Sequence, residues 1–248
     1  MAESVETSLL TPDDFSEMLE FLNANFRKYM HAREILNTLS PRTLRRYTKH
    51  LPKRPRLTKD ENELEHRMVA AMHTYEINAI SSSQGGAHFA SGLFATAACE
   101  AIIIIRLIEV KSIVKDTGTF KRLWKKFREQ PRKDNKAKTF SQFLLEQRVE
   151  VLIRLSKEVG IFDEGNLPER VAEVLKERGF EDRLSDFVRQ SRNCIHPRWI
   201  LQANERYAKI WDVSYSIEGM ESFHADFALC AWELHGRLGN PQLTQTAR

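Results

Sequence analysis

The chain has 248 residues, 42% of them hydrophobic and 29% charged, with a net charge of only +4, which excludes a disordered or low-complexity chain. Three separated cysteines, Cys99, Cys194 and Cys230, give no disulfide framework or paired metal ligands, and the acidic N-terminus has no basic-then-apolar leader pattern. The expectation is a soluble, cytoplasmic globular protein. Its charge is unevenly spread: residues 27–59 carry eleven Lys/Arg against Glu34 alone, and residues 111–138 eleven against three acids, while the blocks around them are acidic. Two basic blocks suggest a surface for a polyanion, nucleic acid first, although solvated helix faces would give the same pattern.

In chain order, Thr11, Pro12, Asp13 and Asp14 read as a helix start. Phe15, Met18, Leu19, Leu22, Phe26 and Tyr29 then form one apolar stripe. Ser40 and Pro41 open a short basic helix that Pro52 and Pro55 end. Thr58 and Glu61 form a capping box for a third helix carrying Leu64, Met68, Met72 and Tyr75. The small and Gly-rich run 81–86 is the clearest break. It places a boundary between an N-terminal helical region, 1–86, and a helical bundle, 87–248.

Residues 87 to about 115 predict the longest helix. Its run Ile102 to Ile105 has strand propensity, but Ala95, Ala97, Ala98 and Ala101 and the overall length favour a helix buried nearly all round. Because the stretch 93–110 also contains Glu100, Arg106 and Glu109, it does not read as a membrane span. A basic helix follows over 120–128, then a charged loop. A helix capped by Thr139 and Gln142 runs to Gly160, and another runs from Asn166 to Gly179. One more starts at Asp182 and is stopped by Pro197, and the last spans 223–238. The fold class predicted is all-α, an antiparallel helical bundle with an N-terminal helical extension.

One stretch stands out for chemistry: Arg189, Gln190, Ser191, Arg192, Asn193, Cys194, Ile195, His196 and Pro197. On a helix Arg192 and His196 are neighbours at i and i+4, and Arg189, Asn193 and His196 follow at i, i+4 and i+7. The other side, with Leu184, Phe187, Val188 and Ser191, packs inward. His196 at a helix C-terminus is favoured as imidazolium. A His can take the proton of a ribose 2′-OH or give one to a leaving oxygen, and Arg forks can hold a phosphate and stabilise its growing negative charge, with Asn193 orienting the backbone. The plainer reading of the same residues is a helix end with surface ion pairs and a His bonding the last carbonyls.

These residues resemble the HEPN superfamily, helical-bundle proteins of which many are RNA-cutting toxins or defence ribonucleases. The family pattern is an Arg, usually followed by a polar residue, and a His after four to six intervening residues near a helix end. Arg189 and His196 have six residues between them, and Arg192 with Asn193 supplies the Arg–polar pair, with three residues before His196. The resemblance covers about residues 87–238, including a long apolar helix with an internal acid, Glu100. It implies a metal-independent endoribonuclease in which His196, Arg192, Arg189 and Asn193 form the catalytic site, no cofactor, a homodimer, RNA as partner, and an antitoxin or other defence-system protein as a further one. Some members of the family bind nucleotides or proteins without catalysis.

A second stretch, residues 32–50, is similar to a helix-turn-helix. Its Arg42, Arg45, Arg46 and Lys49 are candidates for contacts to nucleic acid, as a DNA-binding regulator or as an RNA-guiding arm. Lys125 and Lys126 in the second basic block are the other candidates. His66 with His73, and His224 with Cys230 and His235, lack zinc-like spacing, so no metal is expected. Cys194 beside His196 raises thiol catalysis, but its inward position favours a small hydrophobe.

Overall fold

The computed structural model describes residues 56–130, 138–180, 183–194 and 217–239. Among them every regular element is a helix: α1 (Lys59–Gln84), α2 (His88–Glu109), α3 (Lys111–Asp116), α4 (Gly118–Glu129), α5 (Phe140–Glu146), α6 (Val149–Glu158), α7 (Glu169–Glu177), α8 (Leu184–Asn193) and α9 (Ile217–Gly239). The protein is an all-α helical bundle, as its pattern predicts. Of the expected N-terminal extension, residues 1–55, with the helix-turn-helix-like stretch, lie outside the described residues, and its third helix is α1.

The bundle is assembled around α2. Ile102, Ile103, Ile104 and Ile105 point in four directions round a helix, and all four are buried. That is possible only if α2 is enclosed, and α1, α9, α6 and α8 all pack against it. By length and composition α2 is apolar enough to cross a membrane, with a mean hydropathy of 1.8, but 72% of that window is buried inside the bundle. Each fully buried Ile or Leu contributes about 1.5–3 kcal/mol before entropy is counted, so this helix carries much of the stability.

α1 returns on α2 as a hairpin, with Tyr75 stacked on Phe94 at 6.5 Å. Glu61 at the far end of α1 is only 3% exposed, closes the capping box with Thr58, and meets Lys111 at 2.5 Å. Burial pushes the Glu61 carboxyl up, but the hydrogen bonds from Lys111 and the Thr58 amide outweigh it, and the pKa is lowered. α9 runs beside α2 in the same direction. Phe89 meets Phe223 near the start of both helices, and Arg106 donates to the Gly239 carbonyl at their ends, 3.0 Å away.

Three expectations are corrected. The run 81–86 is no domain seam: α1 continues through Gln84, Gly85 and Gly86 make the turn into α2, and the compact unit begins at Leu57. The reason is that the apolar face of α1 has α2 as its partner, so the hairpin cannot be divided. The helix expected to run to about 115 bends at Val110 (φ −108°, ψ 26°), beyond which Val114 is wholly buried and Lys111 reaches Glu61. The helix expected from Thr139 to Gly160 is two helices, because Gln147 and Arg148 are extended. Their buried faces have different partners: Phe143 of α5 sits among Phe120, Trp124 and Phe127 of α4, whereas α6 packs on α2. No Pro or Gly marks that change of partner.

Gly160 and Gly179 end α6 and α7 as expected, both with positive φ (71° and 75°), where an L side chain is strained. In each case the next amide reaches back to the last turn, Ile161 to Ser156 and Phe180 to Leu175.

A tight contact fixes the α2–α9 spacing. A Cβ added at Gly92 would lie 2.7 Å from Cδ1 of the fully buried Phe227. Ala improves helix propensity by about 1 kcal/mol, but overpacking costs about 1–3 kcal/mol. Gly92→Ala is therefore expected to lower stability by about 1 kcal/mol in urea denaturation, with Phe227→Leu in the same chain restoring part of it. A more stable Gly92→Ala protein would show that α9 is not so closely seated.

Candidate active site on the eighth helix

Helix α8 buries Leu184, Phe187, Val188 and Ser191 against α2 and α9, leaving Arg189, Arg192 and Asn193 half-buried along its other side. Its first turn is held from outside the helix. Arg183 at the N-cap makes no side-chain cap, and Glu164 instead accepts from the Ser185 amide at 3.0 Å and from the Ser185 hydroxyl. Glu164 also pairs with Lys157 of α6 at 2.8 Å. A carboxylate at the positive end of the helix dipole thus seats the segment that carries the arginines.

Each arginine has a carboxylate partner. Arg192 pairs through Nη1 with Glu100, the acid inside the apolar run of α2. Arg189 lies 3.3 Å from Glu150 of α6 and 3.4 Å from Asp186, one turn back on its own helix. The two guanidinium groups are therefore held toward different walls, α2 and α6, which are themselves in contact. Among the described residues, Arg189 Nε is buried with no hydrogen-bond partner, Gln190 and Ser191 are buried, and neither Gln190 Oε1 nor Ser191 Oγ has a partner.

The helix ends earlier than its pattern predicts. It stops at Asn193, where the Cys194 amide bonds back to Ser191 O at 3.1 Å. His196, expected on the last turn, lies outside the described residues, as do Arg42, Arg45, Arg46 and Lys49. The structure thus brings together Arg189, Arg192 and Asn193 on one helix side. Lys125 and Lys126 sit exposed on α4, a different helix. Glu150 and Asp186 are site residues that sequence reasoning missed. The i, i+3 spacing of Asp186 and Arg189 was available as a signal, whereas nothing in the sequence marks Glu150.

Among the described residues no group of three or more His, Cys, Asp or Glu side chains is placed to hold a metal ion. No family model, curated protein or solved structure matches the chain.

Cys194 is the nucleophile nearest the cluster. Its thiol donates to Gln190 O at 3.4 Å, and burial pushes its pKa up to about 11. Burial raises Cys99 and Cys230 as well. The thiol form is thus dominant at neutral pH, and the thiolate, the reactive species, accumulates only as pH rises toward 11. Alkylation by iodoacetamide is expected to be slow for all three thiols at neutral pH and to rise first at Cys194. Fast neutral-pH labelling of Cys194 would contradict this account and reopen thiol chemistry.

Proposed function

We propose that the chain is a metal-independent endoribonuclease of HEPN type, a cytoplasmic toxin or anti-phage effector acting as a homodimer on RNA. The observation that supports this most is the end of α8. Two arginines there are steadied by carboxylates from α2 and α6, beside Asn193, with His196 three residues further along the chain.

In this reading His196 takes the proton of a ribose 2′-OH as its oxygen attacks the adjacent phosphorus. The P–O5′ bond breaks, His196 returns its proton to the leaving 5′-oxygen, and the product ends in a 2′,3′-cyclic phosphate. Arg192 and Arg189 hold the phosphate and balance charge on its equatorial oxygens. A guanidinium has five N–H donors, so one fixed at Nη1 by Glu100 keeps others for a ligand. Glu100 and Glu150 are positioning residues, and Asn193 orients the backbone. An antitoxin or other defence-system protein is the natural partner of such an activity.

The pairing of both arginines with acids also supports a second reading, a non-catalytic HEPN-like module that binds a nucleotide or a partner protein. There Glu100 and Glu150 neutralise the arginines as part of the packing.

Labelled tRNA and mRNA incubated with the protein in EDTA separate the two. The nuclease reading expects cyclic-phosphate products from the wild type and a loss of about 100-fold or more in folded His196→Ala and Arg192→Ala variants. Cleavage that persists in both variants would overturn it. Ribonucleotide binding with no cleavage would favour the binding module.

A further inference from the structure

Helix α4 carries a surface of unusual one-sided charge. Lys121, Lys125 and Arg128 follow one another at i, i+4 and i+7, and Arg122 and Lys126 form the adjoining row; all five are exposed. None of the five forms an ion pair among the described residues. Some exposed cations elsewhere do: Arg67 with Glu63, Lys157 with Glu164, and Arg183 with Asp186. Five like charges within about 10 Å of helix repel one another, and Glu129, one turn beyond Lys125 and Lys126, is the single acid of the helix to offset them.

The opposite side of α4 is fully engaged. Phe120 and Phe127 are buried, and Trp124 packs edge-on against Phe143 at 5.7 Å. The Thr117 hydroxyl caps the start of the helix, accepting from the Phe120 amide at 3.1 Å. Lys138 closes the other end, donating to the carbonyls of Phe127 and Gln130. The charged face is therefore presented on a rigid element whose phenylalanines are buried, with Leu123 and Trp124 half-buried at its flanks rather than projecting as the apolar face of an interfacial helix does.

From this we infer that α4, an element other than the helix that carries the arginine cluster, is a docking surface for the phosphodiester backbone of RNA. Each of the five cations can neutralise one phosphate of a strand laid across the two rows. The choice of RNA over other polyanions rests on the nuclease reading of α8; the charge geometry does not. The surface would hold substrate near the protein while α8 acts on it.

The test is fluorescence anisotropy of the full chain with a labelled single-stranded RNA in EDTA, across about 50 to 200 mM salt. The wild type is compared with Lys121→Gln/Lys125→Gln/Lys126→Gln and with a control of equal charge change at other exposed sites, Arg67→Gln/Arg154→Gln/Lys176→Gln. Five phosphate contacts to a single strand cost roughly 100-fold in affinity over that salt range, and two cost roughly 7-fold. The expected result is a fall from the first value to the second in the α4 variant, with the control keeping the wild-type slope. Equal weakening in both variants, or no RNA binding by the wild type, overturns the proposal. So does tighter binding to duplex DNA or to phosphatidylserine vesicles than to RNA. RNA binding that depends on α4 without any cleavage upholds this surface and removes the nuclease reading instead.

Discussion

The burial of the Ile102–Ile105 run of α2 on every side constrains everything else in the bundle. A run that points round the whole helix has no wet face, so α1, α6, α8 and α9 must each cover part of α2. Close packing then fixes separations: Gly92 admits the Phe227 ring, and Ser91 accepts from Trp232 Nε1 at 3.2 Å. Glu100 lies at the half-exposed edge of α2, and Arg192 of α8 pairs with it there. The register of α8 on α2 therefore sets where the arginines of the candidate site stand.

The same economy governs the other ions inside the bundle. Arg178, 5% exposed, meets Asp226 at 2.5 Å and lies over the Phe223 ring. Burial pushes the Asp226 carboxyl up more than Arg178 holds it down, so that pair acts less as a source of stability than as a fixed α7–α9 register. His235, also buried, lies 2.7 Å from Glu76 and ties α9 to α1. Arg237 gathers the carbonyls of Asp163, Gly165 and Asn166, holding the loop that delivers Glu164 to the start of α8. Polar contacts thus fix helix positions that apolar packing alone leaves free to slide.

Local signals were legible and long-range ones were not. The capping boxes at Thr58 and Thr139 and the helix ends at Gly160 and Gly179 depend on three to five consecutive residues, and all appear as read. The all-round burial of α2 followed from composition and length. The extended residues Gln147 and Arg148 carry no breaking residue; the division between α5 and α6 comes from two faces seeking different partners. The turn at Gly85 and Gly86 was visible, but its meaning depended on what α1 packs against. At the site, Arg189, Arg192 and Asn193 were found from helical spacing. Their carboxylates on α2 and α6 required the fold, because pairing between distant helices leaves no periodic mark in a single sequence.

The account stands on α2 and α8 being coupled through Glu100 and Arg192, the contact that sets the arginine side of the site. A double-mutant cycle with Glu100→Gln and Arg192→Gln, read by urea denaturation at low and high salt, measures that coupling directly. Both side chains are partly exposed, 32% and 38%, so the interaction is screened and modest. The account predicts a coupling of about 0.5–1 kcal/mol at low salt that shrinks as salt is added. Additive effects of the two substitutions at low salt would contradict it.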